Sequence, residues 1–198
     1  MRCVRVAFIG GTKFVGPIAV RAIANAGHEV AVAHSGAHEA DGLGHVEHLH
    51  DSRAGLLAAE GMVERWRPDV LVDTFAGGAT AEKAEELSDC ARRAGVDQIV
   101  AISSIDVYQH CVDAGLADGS GAQVFASDPI PLRESARLRT APYPGGGPEH
   151  DNVAMEAGLR GGTDHRAQAR SDLRAVSAGA RVVPGRPDCA GRVDAAPA

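Results

Sequence analysis

Blocks of apolar residues and amphipathic stretches alternate along the first hundred positions. Val4 to Ile9 (VRVAFI) is short, apolar and β-branched, as a buried strand of a parallel sheet should be. Val15 to Ala26 then carries apolar residues at helical intervals, and Gly27 closes that helix. The same reading predicts a second strand in His28 to Gly36 and a third in His45 to His50. A helix follows over about Arg53 to Trp66, punctuated by Pro68. Pro68 to Gly78 (PDVLVDTFAGG) reads as a fourth strand ending in glycines. Thr80 to Gly95 is a strongly amphipathic helix, and Asp97 to Ser104 (DQIVAISS) a fifth strand.

Regular strand–helix alternation implies an α/β fold with a doubly wound parallel sheet, right-handed crossovers and helices on both faces. A ligand of such a sheet belongs at the carboxyl ends of the strands. Gly10 to Gly16, Phe75 to Gly78 and Ser103 to Ser104 all fall at such ends.

Past about residue 110 the periodicity gives way to closely spaced turn residues, with one more helix expected in Glu149 to Leu159. Beyond Leu159 the chain has no lysine, phenylalanine, tyrosine, tryptophan, isoleucine or methionine, and residues 157–198 hold seven arginines and four aspartates. Two regions are therefore expected: a domain over 1–156 and an Arg/Gly/Ala/Pro-rich tail over 157–198 that is weakly structured or frame-shifted. A shifted frame in a GC-rich gene produces such a composition.

The length of 198 residues suits one domain with a real core. A net charge of -6 leaves no electrostatic footprint for nucleic acid or an anionic membrane, so a small-molecule ligand is the default. Cys3, Cys90, Cys111 and Cys189 are far apart and form no C-x-x-C, which suggests reduced thiols in a cytoplasmic protein. No stretch approaches a membrane span, and the apolar start is too short for a signal peptide.

The candidate chemistry begins at Gly10 to Gly16 (GGTKFVG). A strand-to-helix turn binds pyrophosphate because free N–H groups and the positive end of the helix dipole face it, provided the backbone comes close. Gly10, Gly11 and Gly16 occupy the tight-turn, approach and helix-packing positions, while Lys13 stands where many such loops have another glycine.

GGTKFVG, DTFAGG (Asp73 to Gly78) and AISSIDVYQ (Ala101 to Gln109), in that order, resemble three motifs of the NAD-dependent epimerase/dehydratase family. That family comprises the extended and atypical short-chain dehydrogenases/reductases of Rossmann fold. The resemblance covers about residues 4 to 156. It implies NAD or NADP as cofactor, with Gly10, Thr12, Phe14, Val15 and Gly16 lining the pyrophosphate and Phe75, Ala76 and Gly77 packing beside the cofactor. Ser104 falls on the catalytic serine that orients the reacting carbonyl or alcohol. It further implies a sugar-nucleotide or similar small-molecule substrate, and leaves a homodimer open. An acidic residue that marks NAD preference would stand at the end of the second strand, where this chain has His34 and Ser35. Asp51, after the third strand, is placed to touch the adenine amino group or to be a solvated turn residue.

The family's tyrosine acid/base, with its pKa lowered by a lysine four residues on, has no counterpart. The two lysines are Lys13 and Lys83, and neither follows a tyrosine at that spacing. The nearest match to the atypical members' equivalent is His150 to Glu156 (HDNVAME), which sets His150 in the tyrosine's place and Asn152 in the lysine's. A neutral imidazole transfers protons near pH 7, but Asn152 supplies no positive charge. Family members also continue into a C-terminal substrate region with no recognisable counterpart here, so the expectation is a truncated chain with impaired turnover. The alternatives are a catalytically inactive nucleotide-binding regulator and an RNA-binding atypical member, the latter disfavoured by the charge.

His45, His48 and His50 lie close together, with His48 and His50 on one strand face. They read as a polar strand face, and no metal site is expected, because ligation needs a further residue from elsewhere.

Overall fold

The computed structural model describes residues 3–74, 78–104, 107–109, 136–140 and 151–162. Within these, the elements run β1 (Arg5–Ile9), α1 (Gly16–Asn25), β2 (Glu29–His34), β3 (Glu47–His50), α2 (Arg53–Leu57), α3 (Met62–Trp66), β4 (Val70–Asp73), α4 (Ala81–Ala94), β5 (Gln98–Ala101) and α5 (Asn152–Gly162). The five strands form one sheet in the order β3-β2-β1-β4-β5, every neighbouring pair parallel. Chain order reverses at β1, whose neighbours are β2 and β4, so this is the doubly wound arrangement that the alternation predicted.

Period-two alternation divides the core between the two faces of the sheet. Val6 and Phe8 of β1, Val30 and Val32 of β2 and Val72 of β4 pack with Val20 of α1 and Leu43. Ala7, Ile9, Ala31, Ala33 and Leu71 pack against α2, α3, α4 and α5 on the other side, through Leu56, Val63, Leu87, Cys90, Met155 and Leu159. The two strands flanking the switch are thus buried on both faces, which explains why their apolar residues run almost without interruption.

Local chemistry sets the helix ends. The Thr80 hydroxyl accepts from the Lys83 amide at 3.2 Å to cap α4, Glu82 sits in the first turn, Arg92 and Arg93 in the last, and Gly95 ends the helix in the left-handed region at φ 73°. The helix expected over 53–66 is two short helices. Glu60 takes φ 59°, and a Cβ on Gly61 would stand 2.7 Å from the Gly55 and Leu56 carbonyl oxygens, so the chain doubles back between them. A continuous helical periodicity conceals such a break because both halves keep their apolar side toward the sheet, with Leu56, Leu57, Val63 and Trp66 buried.

α5 packs along α4 with Gly158 at the approach, where a Cβ would lie 3.1 Å from that of Ala84. Met155 and Leu159 of α5 are both buried, and the helix runs through residue 157, where the composition changes.

Cys90 is fully buried in this layer, and burial pushes its thiol from an ordinary 9.0 up to about 11. A two-unit rise leaves about a hundredfold less thiolate near neutral pH, on top of the steric barrier. Iodoacetamide treatment of the native protein at pH 8, read by peptide mapping, is expected to label the half-buried Cys3 and leave Cys90 unmodified until denaturant is added.

Candidate functional site at the carboxyl edge of the sheet

The strand ends lie level. Ile9 pairs with Ala33 and with Asp73, His34 with His50, and Asp73 with Ala101. Parallel register therefore brings the glycine loop after β1, His34 and Ser35 after β2, Asp51 after β3 and Ile102 to Ser104 after β5 to one edge of the sheet.

The glycine loop is anchored there by its backbone. The Gly10 amide donates to the Ala33 carbonyl at 2.8 Å, and Gly10 and Gly11 take φ values of 85° and 94°, a region that L side chains rarely enter. At the other end of the loop, a Cβ on Gly16 would stand 2.5 Å from the Gly11 Cα. Only hydrogen in place of that Cβ lets α1 start so close to the loop. No side chain caps α1: its N-cap is Val15, and a proline follows at the first turn. Phe14 is held at φ 51° and is 94% exposed, and Val15 and Ile18 are also exposed, so the loop carries an apolar rim toward solvent. A bulky residue at positive φ is a strained backbone kept in place by its surroundings.

On the β2–β3 side, Asp51 is tied to both strands. Its amide donates to the His34 carbonyl at 3.2 Å, and its carboxylate accepts from the Ser52 amide at 2.6 Å. Gly55 makes room for it, since a Cβ there would meet the Asp51 carboxylate at 2.5 Å. His34 is buried and its pKa is lowered, first by desolvation, with the nearby Glu39 carboxylate opposing the shift. The neutral imidazole is therefore favoured.

On the β4–β5 side, Ser104 is exposed and its carbonyl accepts from the Val107 amide at 3.3 Å. Its neighbour Ser103 donates to Glu156 of α5 at 2.6 Å, which ties the end of β5 to that helix. Tyr108 forms an antiparallel bridge with Leu138. Phe75, Ala76, Gly77 and His150 lie outside the described residues.

Two features at this edge escaped the sequence reading. Asp73, at the end of β4, is fully buried and accepts from the Arg53 guanidinium at 2.6 Å, while the same guanidinium donates to the Lys83 carbonyl at 3.3 Å. Asp73 opens the DTFAGG stretch, but nothing in the sequence pairs it with an arginine 20 residues upstream. Glu39, in the aperiodic loop after β2, turns back onto His34, His48 and His50.

No protein-family model matches the chain, and no curated protein matches its sequence. Solved structures match its architecture. The UDP-Glc/GlcNAc 4-epimerase of Campylobacter jejuni superposes with a TM-score of 0.62 at 13% identity, covering 83% of this chain and 50% of that one. A nucleoside-diphosphate-sugar epimerase of Pseudomonas aeruginosa gives 0.58 at 18%, covering 82% and 49%. The Bordetella bronchiseptica enzyme WbmG, solved in complex with NAD and UDP, gives 0.54 at 16%, covering 80% and 49%. The chain has the fold of these enzymes. It spans about half the length of each. No helix among the described residues is long and apolar enough to cross a membrane.

Proposed function

We propose that the chain binds a nicotinamide dinucleotide, NAD or NADP, across the carboxyl edge of its sheet. In this reading it is the nucleotide-holding part of an epimerase, dehydratase or reductase acting on a sugar-nucleotide or similar alcohol or carbonyl substrate. The observation that carries the reading is the closed glycine loop. Two successive glycines at positive φ and a third with no room for a Cβ bring backbone and an uncapped helix start together at the sheet's switch point, a place suited to a pyrophosphate. The solved structures of like fold include one holding NAD and UDP, which supports the same occupant here.

In this proposal Gly10, Gly11, Thr12 and Gly16 hold the pyrophosphate, and Phe14 and Val15 cover it. His34, Ser35 and Asp51 face the adenosine, and the family resemblance assigns Phe75, Ala76 and Gly77 to the cofactor as well. With a buried imidazole at the end of β2, neither the acidic residue of an NAD site nor an arginine for a 2′-phosphate is present there, and the proposal covers both dinucleotides.

When bound, the nicotinamide supplies the hydride acceptor and donor. Ser104, exposed on the same edge, orients a substrate oxygen by hydrogen bonding. The tyrosine–lysine pair that would move the proton is missing from the sequence, and Lys83, in the first turn of α4, donates to the Gly78 carbonyl at 3.0 Å. That count favours a second reading, a nucleotide-binding regulator without turnover.

Calorimetric titration of NAD⁺, NADH, NADP⁺ and NADPH into the full chain and into Gly11→Asp tests the proposal. At least one dinucleotide is expected to bind the parent chain. Binding is expected to be lost in the variant, whose new carboxylate would sit in the loop close to Phe8, with an unchanged far-ultraviolet circular dichroism spectrum as control. Absence of binding by the parent chain sinks the reading. Oxidation or epimerisation of a sugar-nucleotide separates the enzyme from the regulator.

A further inference from the structure

We propose that His34, Glu39, His48 and His50 form a binding site for a borderline divalent transition-metal ion, with zinc the best fit. The assignment does not rest on dinucleotide binding. His34 closes β2, His48 and His50 share one face of β3, and parallel register sets His34 beside His50. Glu39 reaches them from a loop anchored by the fully buried Leu43. One donor atom from each residue lies within 4.8 Å of every other.

Most of the donor spacings are close to the edges of a tetrahedron. Zinc bonds of about 2.0–2.1 Å place ligand atoms roughly 3.3–3.4 Å apart along the edges. Here His34 Nε2 is 2.9 Å from His48 Nδ1 and 3.1 Å from His50 Nε2, Glu39 Oε2 is 3.2 Å from His48 Nδ1 and 3.8 Å from His34 Nε2, Glu39 Oε1 is 3.1 Å from His50 Nε2, and the four donors lie within 4.8 Å of one another.

Proton counting gives an independent reason. His48 Nε2 is 3.1 Å from the Leu43 carbonyl, which only accepts, so in the neutral ring that nitrogen carries the proton and Nδ1 turns a lone pair inward. His34 Nδ1 accepts from the Gly36 amide at 3.2 Å, so neutral His34 turns Nε2–H inward. That single proton serves His48, His50 or both. If His50 Nε2 is protonated, it serves Glu39 but opposes the His34 N–H. If it is bare, it faces the carboxylate lone pair to lone pair. Either way, neutral rings satisfy at most two of the four contacts of 2.9–3.2 Å around the cluster. A single dication at the centre satisfies them all, and the His48–Leu43 bond is the kind of outer hydrogen bond that orients a metal-bound imidazole.

Loading has a defined consequence. The His34 Nε2 proton leaves, Nδ1 takes one up, and the Gly36 amide must release it. Gly36 is exposed and lies in a glycine turn at φ 75°, so this rearrangement is local.

The test uses the full chain without a histidine tag, stripped with a chelator and titrated calorimetrically with zinc chloride. One zinc per chain is expected, replaceable by cobalt with the intense visible absorption of a tetrahedral site, and the Gly36 amide resonance is expected to shift. His48→Gln and the more exposed His50→Gln should each weaken binding by more than the roughly 10–100-fold that loss of an outer hydrogen-bond partner costs. His45→Gln, which contributes no converging atom, should leave it unchanged. No zinc binding by the parent chain, or parent-like affinity in a folded His50→Gln, overturns the assignment.

Discussion

Gly16→Ala is expected to lose both stability and dinucleotide affinity, although alanine is the better helix former. The propensity gain is about 1 kcal/mol in a helix interior and less at its first turn. Against it stands a Cβ 2.5 Å from the Gly11 Cα, with Gly11 itself held at φ 94° against the Phe8 side chain. Neither backbone is the movable end of a flexible side chain. Relief requires α1 to retreat from the loop, against the packing of Val20 on the sheet. Overpacking of this kind costs roughly 1–3 kcal/mol. Because the retreat moves the helix start away from where the pyrophosphate would lie, affinity is expected to fall by at least about tenfold, equivalent to about 1.4 kcal/mol. Urea unfolding and calorimetry measure the two effects. Gly44→Ala is the matching control, since a Cβ there meets nothing within 4 Å, and both quantities should stay at the parent value. Parent-like stability and affinity in Gly16→Ala would remove the close approach from the account of the loop.

The sheet and the glycine turn at its carboxyl edge were legible because local pattern and tertiary placement coincide there. β1, β2 and β4 are buried on both faces and have continuous apolar runs; α4 carries its own cap, charge gradient and closing glycine; and the glycines after β1 announce the turn they make. The break at Gly61 was not legible, since a turn that preserves the apolar face leaves no mark on the periodicity. The histidine cluster was half legible. The spacing of His48 and His50 put them on one face, but their meeting with His34 depends on which strand neighbours β3 and in what register, and Glu39 arrives from a segment without periodicity. His45, the third histidine of the sequence cluster, supplies none of the converging atoms.

Arg53→Leu is expected to be among the most destabilising single changes in the described chain. Arg53 begins α2, and its guanidinium joins three elements. It donates to the Asp73 carboxylate of β4 at 2.6 Å, to the Lys83 carbonyl of α4 at 3.3 Å, and approaches Glu86 at 3.8 Å. Asp73 has no exposed surface. A buried pair adds little beyond a well-packed apolar alternative, because desolvating both charges offsets most of their attraction, but removing one partner leaves the other charge in a poor solvent and costs about 3–5 kcal/mol. That is a large share of a typical domain's roughly 5–15 kcal/mol. The same reasoning requires non-additivity. Asp73→Asn in the Arg53→Leu background removes the carboxylate charge that has lost its arginine, so the double variant should lose less than the sum of the two single losses, the shortfall being a coupling of about 0.5–3 kcal/mol. Urea midpoints of the four proteins in the cycle measure it, at constant m-value. If the double variant is less stable than the parent by the sum of the two single losses, the ion pair is not what holds α2 and α4 to the end of β4. Those helix starts flank the carboxyl edge, with Asp51 and Ser52 immediately ahead of Arg53 and Gly78 linked to Lys83, so the same substitution should also loosen that edge. Dinucleotide affinity in Arg53→Leu, measured well below its unfolding midpoint, is therefore expected to fall and to recover partly in the double variant.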